Sequence, residues 1–172
     1  MKAIMQATWS CALLLMGCGS YRGQDGVKPT ETTLCELYQH PEQYAGKMIK
    51  VRAGSVSGLS IEDMLHDSQA KPCPAYMRII VVVPEQVKPV PAFQLVRDDS
   101  YWKLDEALDS PGPMRIDATY EGRFDAAFVW RNHKRIRVGE DQVKGYGKKH
   151  EYDGRIVLRQ VSEVWTMRLP HR

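Results

Sequence analysis

The stretch Ser100-Tyr101-Trp102-Lys103-Leu104-Asp105-Glu106-Ala107-Leu108 decides the fold. Tyr101, Leu104 and Leu108 recur at helical spacing, which predicts a short helix with one apolar face. Asp98 and Asp99 precede it, where carboxylates favour the positive helix end. Pro111-Gly112-Pro113 stops it. On both sides the pattern changes to strand. Upstream, Met48 to Val56 alternates Ile49, Val51 and Ala53 with Lys50, Arg52 and Gly54. Gly54 and Gly58 are expected to mark a bulge or sharp coiling there. Ile61 to His66 reads as a weaker second strand ending in an Asp67-Ser68 turn, and 69–75, with Pro72 and Pro74, as a loop. Met77 to Val83 is the strongest strand: Ile79-Ile80-Val81-Val82-Val83 is apolar on both faces and is expected at the centre of the domain. Pro84, Pro89 and Pro91 then make 84–92 irregular.

Downstream of the helix, Met114 to Phe128 reads as a long strand with Met114, Ile116, Ala118, Tyr120 and Phe124 on one side and a bend at Gly122. Residues 131–154 are polar, basic and glycine-containing, and read as a long loop. Arg155 to Met167 supplies the last strand or strands. Ahead of the first strand, Thr33-Leu34-Cys35-Glu36 has the form of a capping box, and Pro41 and Gly46 suit the start and exit of a further turn. A broken helix over 33–45 follows.

The order is helix, three strands, helix, two strands. It predicts a mostly β domain: a five-stranded OB-like Greek-key barrel with an N-terminal helix and a short helix between strands 3 and 4. The stretches Cys35-Glu36-Leu37, His40-Pro41-Glu42-Gln43-Tyr44, Gly46-Lys47 and Ile49-Lys50-Val51-Arg52 resemble the opening of small bacterial envelope lipoproteins with an OB-like fold. The stretch from Asp67 to Cys73 and Tyr120-Glu121-Gly122-Arg123-Phe124 are similar to theirs as well. The similarity covers most of 33–165, with its specific motifs in the first third. It implies a fold and a location, and no mechanism, because that group has no established activity. Ala53 stands where the pattern often has Gly, and the segment near 131–154 is an insertion.

The beginning of the chain agrees with that location. Lys2 precedes the apolar run Ala12-Leu13-Leu14-Leu15-Met16, and Gly17-Cys18 closes it. This is the tripartite form of a secretory signal. The run is too short to span a bilayer, which needs roughly 20 apolar residues. Leu15-Met16-Gly17-Cys18 resembles the bacterial lipobox, with Met16 in place of the usual smaller residue. The resemblance implies a diacylglycerol on Cys18 and removal of 1–17. An ordinary cleaved signal, releasing a soluble periplasmic protein, is the alternative. Gly19, not Asp, follows the cysteine, and by the same resemblance this favours an outer-membrane lipoprotein facing the periplasm. Residues 18–32 then read as the lipidated cysteine and a flexible tether, and 33–172 as the barrel domain.

The chain has 172 residues, a formal net charge of +3 and four cysteines. The charge is too small to identify a partner. Cys11 falls in the removed peptide and Cys18 at the anchor, so Cys35 and Cys73 remain. An oxidising compartment lets them form a disulfide; two separate thiols are the alternative. No CxxC motif occurs around them.

No catalytic constellation, metal set or cofactor motif emerges. His40, His66, His133, His150 and His171 lack the tight paired spacing of zinc ligands. His66-Asp67 fits a turn better than a ligand pair, and Glu62-Asp63 would face opposite sides of a strand. There is neither a P-loop nor a G-x-S-x-G motif. Trp102, Trp130 and Trp165 read as core or interface anchors, with Trp130 having the best claim to a ligand.

The candidate for function is 130–152, where Arg131, Lys134, Arg135, Arg137, Lys144, Lys148 and Lys149 mix with Trp130, His133, Tyr146, His150 and Tyr152. In an OB fold this would be the loop between strands 4 and 5, part of the usual ligand face. Cations attract anionic groups, and aromatic faces stack on bases or sugars. The expectation is a non-enzymatic, lipid-anchored envelope module that binds or scaffolds an anionic polymer, a lipid headgroup or an envelope protein. Tyr120, Arg123, Trp130, Arg131, Lys134, Arg135 and Arg137 are its expected contact residues. The alternatives are an envelope hydrolase acting on phosphodiesters or glycans and, least favoured by location, an OB-fold nucleic-acid binder.

Overall fold

A computed structural model describes residues 26–57, 73, 75–139 and 143–170. In chain order the elements are β1 (Thr30–Thr32), α1 (Leu34–Gln39), α2 (Pro41–Tyr44), β2 (Met48–Ser57), β3 (Ala75–Tyr76), β4 (Ile79–Val82), α3 (Asp99–Asp109), β5 (Met114–Ala126), β6 (Phe128–Arg131), β7 (Lys134–Arg137) and β8 (Gly154–Arg168). The domain is mostly β, in two sheets. Five strands lie in the order β1-β2-β5-β8-β4, and three in the order β3-β6-β7. Among the described residues neither sheet closes into a barrel.

The local signals form as expected. Glu36 N donates to Thr33 Oγ1 at 3.2 Å, and Thr33 N donates to Glu36 Oε2 at 3.2 Å, so both halves of the capping box are made. Tyr101 N donates to Asp98 Oδ1 at 3.1 Å, which starts α3. Leu104 and Ala107 turn inward from α3, while Leu108 stays exposed. Cys35 and Cys73 are joined in a disulfide, with Cα atoms 5.7 Å apart. It ties α1 to the segment entering β3.

β2 and β5 pair over ten residues, and β5 continues along β8. The register slips beside Gly122, where a Cβ would lie 2.2 Å from the Val157 carbonyl oxygen. Only a glycine lets β8 pass that closely. Ile49, Val51, Ile116, Tyr120, Phe124, Ile156 and Val161 meet in the main core.

Three outcomes bear on the expectations. First, β4 pairs in parallel with β8 and, among the described residues, with no other strand. Its apolar character serves both faces: Ile79, Val81 and Val83 pack on the main core, while Val82 packs on Met48, Val87, Phe93 and Val157. The segment after β4 thus supplies a second apolar cluster. Second, Thr30–Thr32, expected in the tether, pairs in parallel with Ile49–Val51. Third, part of the expected loop 131–154 is strand, in β6 and β7. The strand expected at Ile61 to His66 lies outside the described residues.

Candidate aromatic and arginine face

The β6–β7 hairpin turns at Asn132 and His133, which have φ of 49° and 60°. A two-residue turn with positive φ at both positions matches strand twist, and Asn tolerates that conformation. The register pairs Phe128 with Arg137, Val129 with Ile136, Trp130 with Arg135 and Arg131 with Lys134. Tyr76 on β3 pairs with Trp130 on its other side. Paired residues of antiparallel strands share a face, and successive residues alternate. One face therefore carries the row Tyr76–Trp130–Arg135 and, beside it, Phe128–Arg137. Val129 points the other way and is fully buried.

The row is built of ring and guanidinium contacts. The Tyr76 and Trp130 rings stack with centroids 5.7 Å apart and an interplanar angle of 9°. Tyr76 keeps 51% of its surface exposed, so its outer side is an open platform. The Arg135 and Arg137 guanidiniums lie 3.8 and 4.7 Å from the Phe128 ring centroid.

Asp153 fixes this face from beneath. It is fully buried. Its Oδ2 accepts from Arg78 N at 3.1 Å, Arg78 Nε at 3.2 Å and Trp130 Nε1 at 3.1 Å. Its Oδ1 accepts from Arg135 Nε at 2.9 Å. A buried carboxylate needs such partners, and here they come from three places in the chain. Trp130 and Arg135 are thereby held in fixed orientation. An isolated Asp between Tyr152 and Gly154 reads as a turn residue, so sequence reasoning missed it.

The seven expected contact residues separate. Trp130, Arg135 and Arg137 share the face. Arg131 and Lys134 lie on the opposite one. There Arg131 donates to the Gln39 carbonyl and its Nη2 stands 3.9 Å from Glu42 Oε2. Lys134 is exposed. Arg123 belongs to a neighbouring cluster, donating to Asp125 at 3.0 and 3.1 Å, with Arg155 on the same carboxylate at 2.8 Å and over the Tyr146 ring at 4.6 Å. Tyr120 is only 2% exposed and lines a separate pocket beside α3. Strand alternation explains the division; a reading of the segment as loop could not supply it.

Trp102 and Trp165 are about half exposed and are not core residues, as one alternative for them had it. Among the described residues no group of three or more His, Cys, Asp or Glu side chains could hold a metal ion. Cys18, Glu62, His66 and Asp67 lie outside the described residues. Glu163 sits at a β8 irregularity with φ of 53°. The Thr119 hydroxyl, 2.7 Å away, and then the nearby Arg52 and Lys50 hold its carboxyl below the usual range.

No family model matches the chain, and comparisons with curated proteins and with solved structures return no match.

Proposed function

We propose that the chain is a non-enzymatic binding module of the bacterial cell envelope, anchored by a lipid on Cys18, whose β3–β6–β7 face takes an anionic envelope polymer. The observation that carries this is the row Tyr76–Trp130–Arg135 with Arg137 beside it. An exposed ring offers a stacking surface for a sugar, and two guanidiniums, Arg135 held by Asp153 and Arg137 donating to the Val143 carbonyl at 2.9 Å, offer positive charge to a carboxylate or phosphate. Asp153 preorganises the row, so little side-chain freedom remains to be lost on binding.

The barrel reading also draws support. If β2, β4, β5 and β8 are strands 1, 3, 4 and 5 of an OB Greek key, the antiparallel pairs β2–β5 and β5–β8 and the parallel pair β4–β8 are those the topology requires. The strand expected at Ile61 to His66, which would be strand 2, lies outside the described residues. The β6–β7 hairpin then grows from the connection between strands 4 and 5, where OB proteins place a ligand loop.

The test is binding of polygalacturonate, with neutral dextran and a single-stranded oligonucleotide as controls. Arg137→Glu and Tyr76→Ala are each expected to weaken polygalacturonate binding at least fivefold. Preference for the oligonucleotide would favour the nucleic-acid alternative, and equal dextran binding would remove the role of charge. The anchor is checked by intact mass from native membranes: a triacyl increment on a chain beginning at Cys18 is expected.

A further inference from the structure

The geometry points to a second site, a small-molecule pocket for a lipophilic amine between α3 and the edge of the five-stranded sheet. It encloses about 340 Å³. Ile80, Val82 and Val83 line one side and Tyr101, Leu104 and Leu108 of α3 the other. Tyr120 and Leu158 contribute to its lining from β5 and β8. This is the size and character of a ligand pocket: concave, chiefly apolar, with few polar groups.

Two polar residues select the ligand. Ser55 lines the pocket and is only 2% exposed. A hydroxyl both donates and accepts, so it can meet either kind of polar group on a ligand. Asp105 is the one charged residue among the described lining residues. It has no ion-pair partner among the described residues. Arg97 and Lys103 do not line the pocket: Arg97 Nη2 is 2.9 Å from Glu85 Oε1, and Lys103 Nζ donates to the Val164 carbonyl at 2.7 Å. The described lining residues therefore supply a carboxylate and no cation. It suits an apolar chain or ring system carrying an ammonium group, and it disfavours a fatty acid of the same length.

The test is calorimetric titration of the protein with decylamine, decanol and decanoate below their aggregation concentrations. Decylamine is expected to bind at least fivefold more tightly than either of the others. Asp105→Asn should erase that preference while leaving decanol binding unchanged. Leu108→Trp, at an exposed rim position, should block all three. Absence of saturable binding would overturn the inference. So would decanoate binding as tightly as decylamine, or a preference that survives Asp105→Asn. Because Asp105 lies on the helix surface, that variant keeps the test valid even if Leu108→Trp disturbs packing. Arg137→Glu, on the other site, should leave decylamine binding unchanged.

Discussion

Replacing Asp153 should loosen the second sheet more than any other single polar change on that face. Removing one partner from a buried charged cluster costs about 3–5 kcal/mol, because the remaining charges lose their compensation. Here the Arg78 and Arg135 side chains keep 33% and 30% of their surface exposed. Water can reach both guanidiniums, so Asp153→Ala is expected near the low end, about 3 kcal/mol. Asp153→Asn preserves shape and one acceptor. If its oxygen serves Arg78 and Trp130, its amide meets Arg135 Nε donor to donor. That loses one charge-assisted hydrogen bond, about 1.5–3 kcal/mol. Urea unfolding followed by tryptophan fluorescence reads both. With a slope of about 2 kcal/mol per molar urea, Asp153→Ala should lower the midpoint by about 1.5 M. A loss below about 0.5 kcal/mol for the alanine variant would refute the assignment of Asp153 as the residue that holds Trp130 and Arg135 in place.

Replacing Cys35 and Cys73 together by Ser should destabilise the protein by about 4 kcal/mol on the chain-entropy account, given their separation of 38 residues; denaturant midpoints with and without reductant check it. Gly122→Ala places a methyl group against the Val157 carbonyl and should cost about 1–3 kcal/mol in the same assay, through displacement of β8 from β5. Glu163, whose folded pKa is depressed, stabilises the fold above its ordinary value of 4.5 and loses that contribution as pH falls through the lowered folded value. Stability measured against pH should therefore decline less in Glu163→Gln than in the parent across that acid window, and parallel curves would contradict it.

Where a single local rule decides, the sequence was legible. The Thr33–Glu36 box and the Asp98 cap each depend on residues within one turn, and both formed. The alternation of Ile49, Val51 and Ala53 likewise needed no tertiary information. β4 was legible as a strand, and among the described residues it pairs with β8 alone. Apolar residues on both faces report coverage of both faces, and here the main core covers one and the segment through Val87 and Phe93 covers the other. The β6–β7 hairpin was missed because Lys134–Arg137 is exposed throughout, so no apolar alternation marks it. Its signal was the Asn132-His133 turn. Asp153 was invisible for a related reason: its partners lie 75, 23 and 18 residues away, and no local pattern announces them.

The account turns on whether the Tyr76–Trp130–Arg135 row is a ligand surface. The direct measurement is a nuclear magnetic resonance titration of the isotopically labelled protein with an oligogalacturonate at low salt. The account predicts that the Trp130 indole N–H, the Arg137 guanidinium and the Tyr76 ring shift together, saturably, and return as salt is raised. Shifts absent from these three groups, or spread over the β5–β8 surface in their place, would contradict it.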